Sequence, residues 1–241
     1  MNTDEALTDL LSHGPAADIP AALEQMRAIE ILLPDSDGLK WFDLLYRMVT
    51  EEVLSNLDIG GWEDKSWTVD LDVIFANLYF DAVRFWLTTR DATPRAWAPL
   101  LDARNRHGIT ELQYALAGMN AHINRDLPVA VVKACRDKGI KPEKGSPQHR
   151  DFTRIDDLLT RVETTAIEIL GRGPVGLIAR SLGRVDDVLA MWSVRKARKA
   201  AWTNAEVLWL LEETPELADE FVCAMDRSAG FAGRGLLLRT S

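Results

Sequence analysis

Apolar residues recur along this chain at a period close to 3.6, and alternating strand patterns are absent. The periodicity predicts helices at about 19–33, 38–57, 68–90, 95–105, 109–136, 147–171, 184–212 and 215–227. The breaks between them are short: His13-Gly14-Pro15, Pro34 to Gly38, Gly60-Gly61, Lys141 to Pro147, and Gly171-Arg172-Gly173-Pro174. Asp37 or Ser36 can cap the second predicted helix. Ser146-Pro147 and Thr214-Pro215 place proline in the first turn of two later ones. The tail from Ser228 carries Gly230, Gly233 and Gly235 and is expected to fold back loosely or fray. The expectation is an all-α fold: one domain of about eight helices, with the N-terminal helices in residues 1–60 packing on a core spanning 68–212. A chain of 241 residues is long enough to bury one sizeable core.

Such a bundle needs at least one helix surrounded by the others, and 109–136 is the best candidate. It is long and carries the small residues Ala115, Ala117, Gly118 and Ala121. A glycine inside a helix costs about 1 kcal/mol against alanine unless close packing uses it. At 100° per residue, Ile109, Leu112, Leu116, Ile123 and Leu127 form the apolar seam. His122 and Asp126 are i,i+4 neighbours on one side of the seam, with Glu111 and Gly118. Asn120 and Asn124 are i,i+4 neighbours on the other flank, with Gln113. Propensity does not explain this density of Asn, His and Asp, which are mediocre helix formers. Pro128 follows at once, removes a backbone hydrogen bond and predicts a kink near Asn124. Conflicts of this kind concentrate at functional or strained sites.

Other polar residues fall on apolar faces. Helix 184–212 has a stripe of Arg184, Val188, Met191, Arg195, Arg198, Trp202, Ala205 and Trp209. An inward arginine needs a carboxylate, an anion or an aromatic face, and Asp126, Asp151 and Asp156 are candidate partners; alternatively the arginine stems cover apolar surface while their heads reach water. Helix 147–171 opens with His149-Arg150-Asp151-Phe152, and helix 68–90 offers Asp72, Phe75 and Tyr79 at helical spacing. Eight tryptophans are many for this length. Most belong to the core, but an aromatic wall over a polar floor also describes a small-molecule pocket.

Composition narrows the function classes. The net charge of −9 argues against generic binding to nucleic acid, and the basic run Arg195 to Lys199 reads as a helix face. No apolar run is long enough for a membrane span. The start, MNTDEALTDLL, has neither the basic nor the apolar region of a secretory signal, so a cytoplasmic location is expected. Cys135 and Cys223 fit no metal or redox spacing. Neither a phosphate-binding P-loop, nor a G-x-S-x-G elbow, nor H-E-x-x-H occurs. The glycine-rich run Gly171 to Gly176 reads as a helix break.

The run Gly118-Met119-Asn120-Ala121-His122-Ile123-Asn124-Arg125-Asp126-Leu127-Pro128 resembles the signature of an uncharacterised bacterial family, a domain of unknown function frequent in actinobacteria. The resemblance extends from about Phe75 to Trp202. It includes Phe75 with Tyr79, Arg95-Ala96-Trp97, His149-Arg150-Asp151-Phe152 and Ala197-Arg198-Lys199-Ala200-Ala201-Trp202. It implies a helical fold and brings no activity with it; Asp156 stands where asparagine is expected. A weaker likeness is to the zinc-dependent phospholipase C and nuclease group, which also place His-x-x-x-Asp on a helix shortly before a proline. This chain has only His13, His107 and His149 besides His122, too few for three zinc ions. A single metal on His122, Asp126, His149 and Asp151 is compatible with the ligand types.

Three readings follow. In the first, the chain is a small-molecule enzyme without an organic cofactor: His122, oriented by Asp126, is the acid or base. Asn120 and Asn124 bind substrate, Arg198 and Arg195 with Asp151 supply the charged contacts, and Tyr79, Trp97 and Trp202 wall the pocket. In the second, the polar residues form a structural core and the protein binds a ligand or partner without catalysis. In the third, the chain is a single-metal hydrolase. The oligomeric state stays open.

Overall fold

Side-chain caps set most of the helix starts. The computed structural model describes residues 2–170 and 193–238. Asn2 and Glu5 form a reciprocal capping box at α1 (Thr3–Ser12), a helix the periodicity missed. Asp18 caps α2 (Ile19–Leu32), and Asp37 caps α3 (Gly38–Leu57) by accepting from the Leu39 amide. Asp64 caps α4 (Lys65–Thr88). A short α5 (Ala98–Ala103) follows. Thr110 and Gln113 box the start of α6 (Glu111–Ala121). After a break come α7 (Leu127–Asp137) and α8 (Pro147–Leu170), the latter starting at the predicted proline. Ser193 caps α9 (Val194–Leu210), and α10 (Pro215–Leu236) starts at the other predicted proline. There is no strand among the described residues, so the chain is all-α.

The predicted helix 109–136 is the axis of the fold, but it is not one α-helix. His122–Asp126 form a π-helical turn between α6 and α7. The Leu127 amide there reaches back five residues to the His122 carbonyl. The predicted distortion is therefore present, as a widened turn just ahead of Pro128. The axis is surrounded as expected: α3 and α10 pack on α6, α4 and α9 pack on α7, and α9 and α10 both touch the π turn. The N-terminal helices α1 and α2 lie outside, against α4 and α3. The start of predicted helix 184–212, with Arg184, Val188 and Met191, and the Gly171–Gly176 run lie outside the described residues.

The C-terminal expectation was wrong. Rather than fraying from Ser228, the chain continues as helix to Leu236. Two of its three glycines lie at contacts: a Cβ on Gly230 would collide with the Arg95 carbonyl, and one on Gly233 would touch Pro99 at 3.4 Å. Asp226 accepts from the Arg95 and Ala96 amides at 2.8 and 2.9 Å. Gln113 Nε2 donates to the Leu236 and Leu238 carbonyls, both at 2.8 Å, and so holds the helix end.

A second tie joins the start of α3 to the end of α5. Arg104 is buried, and its Nη2 lies 2.6 Å from Asp37 Oδ2 and 3.1 Å from Asp4 Oδ1. The Asp37 carboxylate thus caps a helix and neutralises a buried guanidinium at once. Breaking such a pair from one side leaves an uncompensated charge.

Gly118 faces Phe42 of α3, and a Cβ there would overlap the Phe42 ring. Gly118→Ala should therefore destabilise by about 1–3 kcal/mol, against its gain in helix propensity. Gly235 has nothing within 4 Å of a built Cβ. Gly235→Ala should be neutral or stabilising by up to about 1 kcal/mol. Denaturant melts of the two variants check this opposition of sign.

Candidate functional site

The π turn puts an ionised carboxylate in the centre of the core. Asp126 Oδ2 accepts from Trp97 Nε1 at 2.8 Å and from His122 Nδ1 at 3.1 Å; Oδ1 accepts from Arg125 Nη1 at 2.8 Å. Burial alone would raise the Asp126 pKa, but the bonds from His122 and Arg125 override it and hold the group below the usual carboxylate range. Burial pushes the His122 pKa below its ordinary value, against the pull of Asp126. His122 is therefore neutral. Because an ionised carboxylate can only accept, its proton sits on Nδ1, and Nε2 is left with an open lone pair. That Nε2 is buried and has no hydrogen-bond partner.

Aromatic rings enclose the imidazole. Phe75 lies parallel to it at 3.4 Å between centroids, and Tyr46 stands edge-on at 4.5 Å. Phe42, Trp97 and Tyr79 complete the enclosure at 5.7, 5.8 and 6.3 Å. Both His122 and Asp126 are 0% exposed. Further buried polar atoms without partners sit on α3 and α4: Asp43 Oδ2, Tyr46 Oη, Thr50 Oγ1 and Asp72 Oδ2. Asp43 Oδ1 receives the Tyr79 hydroxyl at 2.9 Å, and burial pushes its pKa well above the usual range. Burial also raises Asp72 to about 7, while the positive charge of Arg198 works against that rise. The Tyr46 phenol is raised by burial and by the neighbouring Asp72 charge.

The asparagine pair is bonded as the spacing predicted, with Asn124 Nδ2 donating to Asn120 Oδ1 at 3.0 Å. Asn120 Nδ2 in turn donates to the Ala229 carbonyl of α10 at 2.8 Å. Its donor is thus engaged in holding two helices together rather than open to a ligand.

The other predicted site residues do not join His122. They form a second cluster between α8 and α9. Arg198 is buried, bonds Asp156 Oδ1 at 2.6 Å through Nε and the Phe152 carbonyl at 2.7 Å through Nη2, and lies over the Phe152 ring. Of the three carboxylates considered for it, Asp156 is the partner. Trp202 packs against Trp67, His149 and Phe152 and donates to Glu206 at 3.1 Å. Arg195 is exposed and reaches Asp157 at 3.3 Å. Asp151 spends its carboxylate on the Glu63 and Asp64 amides, at 2.6 to 3.1 Å, and so fastens the loop ahead of α4. The conditional metal set of His122, Asp126, His149 and Asp151 is therefore not assembled. No group of three or more His, Cys, Asp or Glu among the described residues is arranged to hold a metal. The two clusters do not converge on one point, although the Asp72 carboxylate interacts electrostatically with Arg198 of one and Tyr46 of the other.

Sequence reasoning missed Asp43 and Tyr46. Their signal was present: Leu39, Phe42, Asp43, Tyr46, Thr50 and Val53 are all buried along one face of α3. A carboxylate on that stripe needs the same explanation as the one at position 126.

No helix among the described residues is long and apolar enough to cross a membrane. No curated protein and no solved structure matches the chain. A family model does match, over residues 19–239, which span both clusters and the whole π turn. The chain therefore belongs to the family of unknown function DUF5995.

Proposed function

We propose that the chain is an acid–base enzyme acting on a small molecule, with His122 as the base and Asp126 as the group that orients it. One observation carries this reading: a neutral histidine, fixed through Nδ1, holds a buried Nε2 without a hydrogen-bond partner inside an aromatic enclosure. Nε2 can take a proton from a hydroxyl, a water or an acidic C–H. The imidazolium so formed is stabilised by the Asp126 carboxylate already in contact with it. Tyr46, edge-on to the imidazole, adds a hydroxyl, and Asp43 on the same face of α3 adds a carboxyl oxygen without a hydrogen-bond partner. The π turn supports the reading, since such turns are frequent at functional sites. The reaction class is hydrolysis, or a cofactor-free elimination or cyclisation, on a small apolar or carboxylate-bearing substrate. Because His122 is fully buried, the reading requires the packing around it to open for a substrate. A cytoplasmic setting suits two free thiols, Cys135 and Cys223.

The complete burial of His122 and Asp126 favours a second reading, a structural polar core that fixes the π turn and serves no reaction. His122→Gln separates the two. The enzyme reading expects turnover of a substrate found by screening to fall by at least about a hundredfold, with the melting free energy changed by less than about 2 kcal/mol. Unchanged turnover sinks the enzyme reading. A loss of more than about 3 kcal/mol, with no substrate found for the parent chain, establishes the structural one. A proton titration of the His122 ring by NMR should show a pKa below 6.5, and a value above it would contradict the neutral base.

Asp72 gives a pH test. Its folded pKa, about 7, lies above the ordinary aspartate value of 3.8, so the fold binds its proton more tightly than the unfolded chain does. Its contribution to stability is complete below the unfolded pKa and is lost as pH rises through the folded one. Asp72→Asn should therefore stabilise the protein by on the order of 1–3 kcal/mol at alkaline pH, with the difference vanishing at acid pH. Urea melts across that range measure it.

A further inference from the structure

A cleft of about 380 Å3 lies between α8 and α9, away from the His122 enclosure. Phe152 and Trp202 form its apolar floor, and Lys144, Arg195, Lys196 and Lys199 stand around it. Its volume falls in the ordinary range for small-molecule sites, roughly 300–1,000 Å3. Two carboxylates also line it, and both are engaged. Asp156 holds Arg198, and Glu206 accepts from Trp202 Nε1. Arg195 has a carboxylate partner in Asp157, but Lys144, Lys196 and Lys199 have none among the described residues.

The chain carries a net charge of −9, and elsewhere Lys40, Lys65, Lys138 and Lys141 each have a carboxylate partner, while Lys133 has none among the described residues. Three unmatched ammonium groups around one concave surface repel one another unless an anion joins them. The start of α9 adds to the field. Arg195 and Lys196 belong to its first turn, so cations sit at the positive end of the helix dipole, where they are disfavoured without a counter-charge. The Arg198 guanidinium, which the sequence offered as the anion holder, is already satisfied from within, so the lysines take that role.

We propose that this cleft binds a small molecule with an aromatic or apolar body and a phosphate or carboxylate head. The body lies on Phe152 and Trp202, and the head is held by Lys196 and Lys199, with Lys144 opposite. The site is independent of His122, so either proposal stands if the other fails.

Titration calorimetry of the full chain with phenyl phosphate, benzoate, phenol and inorganic phosphate tests it. At low ionic strength, phenyl phosphate or benzoate should bind at least about tenfold more tightly than both phenol and inorganic phosphate, and the binding should weaken with added salt. His149 stands edge-on to Trp202 at 4.9 Å, so its imidazole signals should shift in NMR spectra on binding. The double variant Lys196→Gln, Lys199→Gln should weaken the binding by about tenfold or more, and the Lys196→Arg, Lys199→Arg pair should retain it. His122→Gln should bind the probe as the parent chain does. Equal affinity for phenol and its phosphate, undiminished binding by the double glutamine variant, or no binding of either aromatic anion overturns the proposal.

Discussion

A carboxylate ionised in the middle of the core constrains everything around it. An isolated charge buried at Asp126 would cost several kcal/mol, so the chain must bring donors to it. The donors arrive from separate parts of the fold. Trp97 comes from the residue just before α5, and His122 and Arg125 come from the π turn itself. Nearby, Asn124 and Asn120 carry the connection to the Ala229 carbonyl, and Asp226 binds the amides that precede Trp97. The entry to α5, the central axis and α10 are thereby located by hydrogen bonds, which have a direction, and not by apolar contact alone, which has none.

The two polar clusters differ in kind. The one at His122 is sealed, largely neutral and lined with groups whose hydrogen-bonding capacity is unused. The one at Arg198 is strongly charged, and its inner members are bonded while its outer members face solvent. Asp72 interacts with a member of each: the Arg198 charge works against its raised pKa, and its own charge raises that of Tyr46.

Much of this was legible in the residues. The helical class, the surrounded position of 109–136, the closeness of packing at Gly118, both i,i+4 polar pairs and the distortion before Pro128 all follow from spacing and elementary sterics. The C-terminal helix did not, because glycine reads as a helix breaker until the Arg95 carbonyl is seen against Gly230. Tertiary contact overrode propensity there. The joining of His122, Asp126, Trp97 and Tyr79 could be guessed as a set, since all lie on inward faces. Which arginine met which carboxylate could not, because periodicity reports the face of a residue and not its height along a neighbouring helix. Asp151 illustrates the point: its inward position suggested a ligand, and its actual work is to hold two loop amides.

The π turn also sets rotational phase. An i to i+5 turn accommodates one residue more than an α turn, so α7 leaves it rotated by about 100° from the phase a continuous α-helix would impose. Val131, Ala134 and Cys135 are buried in that phase. The turn thus works as a spacer of fixed length. Were the same residues wound as an ordinary α-helix, the buried side of α7 would turn by about that angle away from α4 and α9. The width of this turn is accordingly under a constraint separate from the identity of its side chains: it aligns one half of the molecule with the other.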